Sequence, residues 1–306
     1  SNAPIFLWVH LFDPHLPYEP PPRFIENVDP VLAESHPTLA WRDLRNLAEE
    51  RGGDLPAEVL AYGRSLYQAE VAATDFEIGR LLDGFGELRN LDDTVVVFTA
   101  DHGECFERGV YFEHADCLHR GALRIPLILR HPLTFAAGKR ESTPVSSLDL
   151  APSLLAAAGL PSEESFKGES LSGLSQRIDD RLILVQHPLY QPRTAKTRAR
   201  RSEVVRSVAG DPVRAPLLDR ERMGVVGPDW KYIRSGTETE LFPENGEEGE
   251  PLGEVSPLVV ADLDDQLDRL LTEHPLRILD PGLIHDELRE TLEALGYIAP
   301  SQKAAP

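Results

Sequence analysis

The hydrophobic positions of this chain fall into short β-branched runs divided by turn residues and longer helical stretches. Residues 5–12 (IFLWVHLF) are a nearly unbroken apolar run that predicts a buried strand. The run leads into Asp13-Pro14-His15-Leu16-Pro17-Tyr18-Glu19-Pro20-Pro21-Pro22, whose prolines forbid helix. From about residue 56 to 84, Leu60, Tyr67, Val71, Phe76, Ile78 and Leu81 recur at near-helical spacing, with Gly84 as the expected stop. Residues 94–100 (TVVVFTA) have the pattern of a strand covered on both faces. Further on, residues 125–129 predict a strand, 147–159 a capped helix closing on Gly159, and 182–186 a short strand. Residues 223–226 and 230–234 predict a hairpin with a third strand at 240–242. Helices over 257–273 and 281–295 then precede a tail from Ala299. Strands alternating with helices, followed by a small strand cluster, predict an α/β fold with a lesser C-terminal subdomain.

Composition narrows the classes. With 306 residues, 41% of them hydrophobic, the chain can bury a sizeable core in one large domain or two ordinary ones. Its 31 Lys and Arg against 51 Asp and Glu give a net charge of −20, which repels phosphate backbones and anionic membranes. A nucleic-acid partner is therefore not expected, and no apolar run approaches the roughly 18 residues of a membrane span. Two cysteines make no disulfide framework and no zinc spacing, and they leave the compartment undecided. Ser1-Asn2-Ala3 reads as the remnant of a cleaved tag. The next residues enter a core-type strand at once, the pattern expected of a piece of a longer protein.

Candidate chemistry concentrates at Thr99-Ala100-Asp101-His102-Gly103-Glu104, after the strand at 94–100. Ligands of open α/β sheets sit at such carboxyl ends. Asp101 offers a hard oxygen and His102 an imidazole nitrogen, a combination suited to a divalent cation, while Gly103 lets the backbone turn away. The same dipeptide also serves as a turn cap beside a surface histidine. His15, held between prolines, is either a donor or acid for an anionic oxygen or a loop residue that packs. His114 and His119 cluster shortly before Arg124-Ile125-Pro126-Leu127-Ile128, with Asp116 and Arg120 either in a site or in solvent. The basic cluster Arg193, Lys196, Arg198, Arg200, Arg201 and Arg206 reaches an anionic substrate or lies in a solvated loop, and the acidic 244–254 stretch reads as a solvated turn.

Three of these segments together resemble the sulfatases of the alkaline-phosphatase superfamily. Residues 6–18 are similar to the family's strand and His-x-Pro-Tyr loop, 98–104 to its second metal-binding segment, and 114–128 to the stretch that follows. Trp230-Lys231-Tyr232-Ile233, Glu240-Leu241-Phe242 and residues 288–298 resemble its C-terminal hairpin and closing helix. The resemblance implies a mixed sheet flanked by helices plus a small C-terminal antiparallel sheet and helix. It divides the chain into a partial catalytic domain at 4–200, a subdomain at 201–298 and a tail at 299–306. It makes Asp101 and His102 ligands of one divalent cation, usually Ca2+, with Mn2+ or Mg2+ as alternatives. His15 and His114 fall on the sulfate or its leaving oxygen, as catalytic and substrate-binding residues. The implied substrate is a sulfated small molecule or glycan, and the implied compartment is periplasmic or secreted, although the chain shows no signal peptide.

The family's nucleophile is a cysteine oxidised to formylglycine in Cys-x-Pro/Ala-x-Arg, and neither Cys105 nor Cys117 has that spacing. The paired aspartates that complete the cation site are missing too, since Asp92-Asp93 precede a strand and Asp264-Asp265 lie in a predicted helix. The chain is thus expected to be the carboxyl-terminal portion of a sulfatase, with an incomplete metal site, no nucleophile and no activity alone, and with an apolar sheet edge that an oligomer would cover. Two rival readings remain: phosphonate monoester or phosphodiester hydrolysis, and a non-catalytic module that binds anionic glycans.

Overall fold

The computed structural model describes residues 3–27, 30–35, 55–107, 110–114, 117–172, 181–187, 221–243 and 251–275. The chain forms two compact units, Ser1–Val260 and Ala261–Pro306. In order, the first unit holds helices α1 (Pro30–Ser35) and α2 (Ala57–Leu88), strands β1 (Val96–Thr99), β2 (Cys105–Glu107) and β3 (Val110–Glu113), and the one-turn α3 (Arg120–Leu123). Strand β4 (Leu127–Arg130), α4 (Leu150–Ala157) and strands β5 (Ile183–His187), β6 (Arg222–Val226), β7 (Trp230–Ser235) and β8 (Glu238–Pro243) follow. Helix α5 (Pro257–Glu273) begins in the first unit and continues into the second, where Leu263 and Leu267 are its buried positions. The class is α/β, and among the described residues the sheets are antiparallel: β1 with β4, β2 with β3, and β5-β6-β7-β8.

Long helix α2 organises the site-bearing half. Val59, Leu66 and Ala69 bury one face of it against Tyr18 of the proline loop and against Phe106 and Phe112 of the β2–β3 hairpin. Phe112 adopts a left-handed backbone (φ 59), and its ring lies over Gly63, where an added Cβ would come within 2.2 Å of it. Only glycine at 63 lets the ring approach so closely. Glu70, on the same helix, accepts the Glu19 N–H at 2.7 Å and pins the loop a second time.

The C-terminal sheet packs Ile233 and Phe242 on Leu118. Buried Lys231 lies over the Phe242 ring and donates from Nζ to the Leu118 carbonyl at 3.2 Å. The stretch from Ser147 begins as a 3-10 turn capped reciprocally by Ser146 and Asp149, continues as α4, and is followed by Gly159 at φ 68. Asp149 is fully buried and accepts from the Ser146 and Glu169 backbone and from Arg181 at 2.7 Å, so this buried ion pair fastens the following loop.

Several expectations change. Residues 5–12 join no sheet among the described residues and lie exposed, Phe6 and Trp8 being 79% and 76% accessible. Their apolarity alone predicted a strand, but a strand needs a hydrogen-bonded neighbour to bury it. Gly84 does not stop α2, which runs on to Leu88, because one glycine costs a helix only about 1 kcal/mol. Strand β1 is half-buried, with Phe98 reaching solvent, rather than covered on both faces. The sequence showed no sign of the β2–β3 hairpin. The predicted helix at 281–295, the tail and the basic cluster at 193–206 lie outside the described residues, as does most of the 244–254 stretch.

Candidate active site

Asp101 to Glu104 form the turn that leaves β1, and its glycine is dictated by proximity. The Gly103 N–H donates to the Ala122 carbonyl at 2.8 Å, and a Cβ at Gly103 would sit 2.0 Å from the Gly121 carbonyl oxygen. Gly103 is not among the positive-φ glycines, so the residue type serves close backbone approach rather than the sharp turn expected from sequence. The chain then enters β2 at Cys105, which is disulfide-bonded to Cys117. The bond closes the segment that carries the β2–β3 hairpin and His114. The two cysteines are therefore a structural pair, which spacing alone did not reveal.

Three imidazoles converge. The His102 and His114 rings stack with centroids 3.8 Å apart, and His15 meets His114 edge to face at 5.3 Å. Phe12 stacks on the far ring of the group, 4.5 Å from His15. Each histidine engages Nδ1 with the protein: His15 with the Leu16 carbonyl at 2.7 Å, His102 with the Gly103 carbonyl at 2.9 Å, and His114 with Glu104 Oε1 at 3.1 Å. Carbonyls accept only, so Nδ1 is the donor in the bonds of His15 and His102, and Nε2 is the nitrogen left for other partners. His119, by contrast, is buried, with its ring at 6.3 Å from Phe242 and its N–H on Cys117 Sγ.

Asp101 and His102 are adjacent in space as in sequence. Asp101 Oδ1 accepts the His102 N–H at 3.0 Å, while Oδ2 stands 3.7 Å from His102 Nε2. Asp101 is 60% exposed and His102 30%. A carboxylate oxygen and an imidazole nitrogen this close are both ligand types of divalent metals, so this donor pair fits such a cation. It supplies two ligands, and no group of three or more His, Cys, Asp or Glu suited to a metal occurs among the described residues.

One acidic group behind the histidines was not singled out from sequence. Glu104, buried, accepts from Tyr18 Oη at 2.6 Å as well as from His114. The only signals were its position in Asp-His-Gly-Glu and the tyrosine that ends the His-x-Pro-Tyr loop. Burial, and secondarily the negative charge of Glu104, raise the Tyr67 phenol above its ordinary value of 10. Burial also raises the Glu70 carboxyl above 4.5, with Asp13 and Glu19 adding to the shift and the Glu19 N–H opposing it.

Set beside known proteins, this architecture has a clear place. The sulfatase family model matches residues 1–160, and the chain belongs to the sulfatase family of the alkaline-phosphatase superfamily. It is 34% identical over 133 residues to the N-acetylglucosamine-6-O-sulfatase of Bacteroides thetaiotaomicron, a stretch that is 42% of this chain and 24% of that protein. In structure it resembles a 2-O GAG sulfatase (TM-score 0.57, 17% identity, 92% of this chain and 57% of that one). It also resembles the phosphonate monoester hydrolase of Silicibacter pomeroyi (TM-score 0.53, 21% identity, 85% and 48%). At those identities the two structures establish the shared fold alone. The chain spans about half the length of the solved structures it matches and about a quarter of that curated relative. Among the described residues, no helix is long and apolar enough to cross a membrane.

Proposed function

We propose that the protein to which this chain belongs hydrolyses sulfate esters at a divalent cation, Ca2+ in the first instance. The observation that carries this reading is the meeting of His15, His102 and His114, drawn from three separate segments, beside the Asp101–His102 donor pair. Asp101 and His102 would hold the cation, which supplies charge for the non-bridging oxygens of the ester. His15 and His114 contact the sulfate group, and one of them gives a proton to the departing oxygen. Both cysteines are in the disulfide, so neither serves as nucleophile; on this reading a hydroxyl of a hydrated formylglycine in another part of the protein attacks sulfur as the S–O bond to the departing oxygen breaks. Residues 4–200 then form the catalytic part and 201–298 a C-terminal subdomain. The substrate class is a sulfated small molecule or glycan, and the buried disulfide favours an oxidising, extracytoplasmic compartment.

The test is hydrolysis of an aryl sulfate and an aryl phosphodiester, with added Ca2+ or Mn2+, by this chain and by the protein extended to its natural start. Sulfate turnover in the extended form, lost in Asp101→Ala, is the expected result. Preference for the phosphodiester would replace the reading with phosphoryl transfer. Saturable glycan binding without turnover in either form would replace it with a binding module.

A further inference from the structure

The stacking of His102 on His114 fixes the plane of the second ring but not its edge, since a ring turned over by half a rotation stacks as well. One group separates the two orientations. The Glu104 side chain is 3% exposed, and its two oxygens are divided between partners: Oε2 accepts from Tyr18 Oη at 2.6 Å, Oε1 meets His114 Nδ1 at 3.1 Å. A carboxylate accepts only, so the shared proton on the histidine side resides on Nδ1. Burying a carboxylate is costly unless such donors meet it, and this one joins three segments that carry the site. Tyr18 belongs to the loop of His15, Glu104 to the turn of Asp101 and His102, and His114 follows the hairpin. Cys105, next to Glu104 in the chain, is tied by its disulfide to Cys117, so the carboxylate stands on a fastened backbone.

We propose that Glu104 is the positioning residue of this site: it selects the tautomer and the edge that His114 presents, and through Tyr18 it ties that choice to the loop carrying His15. The proposal rests on the reading of His114 given above. Holding a proton on Nδ1 leaves Nε2 as the nitrogen that faces the site and through which a proton passes to an anionic oxygen, the logic by which a carboxylate orients a working histidine in other hydrolases.

The experiment is a long-range 1H–15N correlation spectrum of the whole chain labelled at histidine, recorded above the ordinary imidazole range. His114 is assigned through His114→Gln, and inorganic sulfate is added in a second series recorded below that range, where Nε2 carries a proton it can donate to the anion. A single Nδ1–H form of His114 is expected, giving way to a mixture in Glu104→Ala and persisting in Tyr18→Phe. Sulfate is expected to move the His15 and His114 signals, with a midpoint at least about tenfold weaker in Glu104→Ala, as for loss of a hydrogen bond to a charged group. An Nε2–H form in the unsubstituted chain overturns the proposal, even if Glu104→Ala fails to fold. So does an unchanged tautomer in Glu104→Ala with a native amide spectrum. If the tautomer depends on Glu104 but sulfate moves neither histidine, the positioning role is upheld and the sulfate reading falls.

Discussion

His102 and His114 lie face to face, their ring planes within 16° of each other, although one leaves a strand and the other ends a hairpin. Neither ring can be removed without freeing a face of the other, so the two positions act as a unit. His114→Ala is expected to lower kcat for aryl sulfate by about 10²- to 10⁴-fold in the extended protein. The double variant His102→Ala with His114→Ala is expected to lose less than the product of the single losses. Steady-state rates of the four proteins decide this, and strict multiplication would show that the stack has no functional consequence.

Gly63 faces the Phe112 ring across the helix–hairpin contact, with no room for a methyl group. Gly63→Ala should therefore destabilise the fold by about 1–3 kcal/mol, the ordinary cost of overpacking, in spite of alanine's better helix propensity. Thermal melts read the sign directly: a rise in Tm would mean that Phe112 moves aside freely.

The raised Glu70 carboxyl sets a pH dependence. Its folded pKa lies above its unfolded value, so the folded state holds the proton more tightly, and stability falls as pH rises through the window from 4.5 to the higher folded value. Glu70→Gln keeps an oxygen for the Glu19 N–H and removes the charge. The variant should be more stable than the parent at neutral pH, with the difference shrinking as pH drops below about 4.5. Urea midpoints across that range check it; a difference that grows toward acid would reverse the assignment.

The disulfide between Cys105 and Cys117 is buried at both ends, Cys105 completely. Replacing both by serine is expected to cost about 2–4 kcal/mol, the usual contribution of a native bridge. Reductant should act on the native protein only as fast as it opens, which thiol trapping followed by intact mass measures. Rapid trapping of folded protein would show that the sulfurs reach solvent.

Much of this molecule was legible in its sequence, and the exceptions have common causes. Strands β1, β4, β5, β6 and β7 lie within a residue or two of their apolar runs, because β-branched runs between turn residues have few other ways to bury themselves. The segments carrying His15, Asp101, His102 and His114 were picked out as residues, and the resemblance placed them in one site; only the fold shows the rings in contact. What sequence did not show depends on partners distant along the chain. Phe6 and Trp8 have the composition of a core strand but no neighbour among the described residues. Glu104 looks like the end of a motif until Tyr18 and His114 are found on its two oxygens. The cysteines' pairing has no local signature, and Gly103 was assigned conformational freedom when crowding by Gly121 is what excludes a side chain.

The covalent ring closed between Cys105 and Cys117 has one more consequence. A protease that cuts once inside it opens the ring without releasing a piece, so both halves of the nicked chain migrate as a single band until reductant is added. His114 lies within that ring and Glu104 immediately outside it. A cleavage that would ordinarily separate the two leaves them on one covalent body.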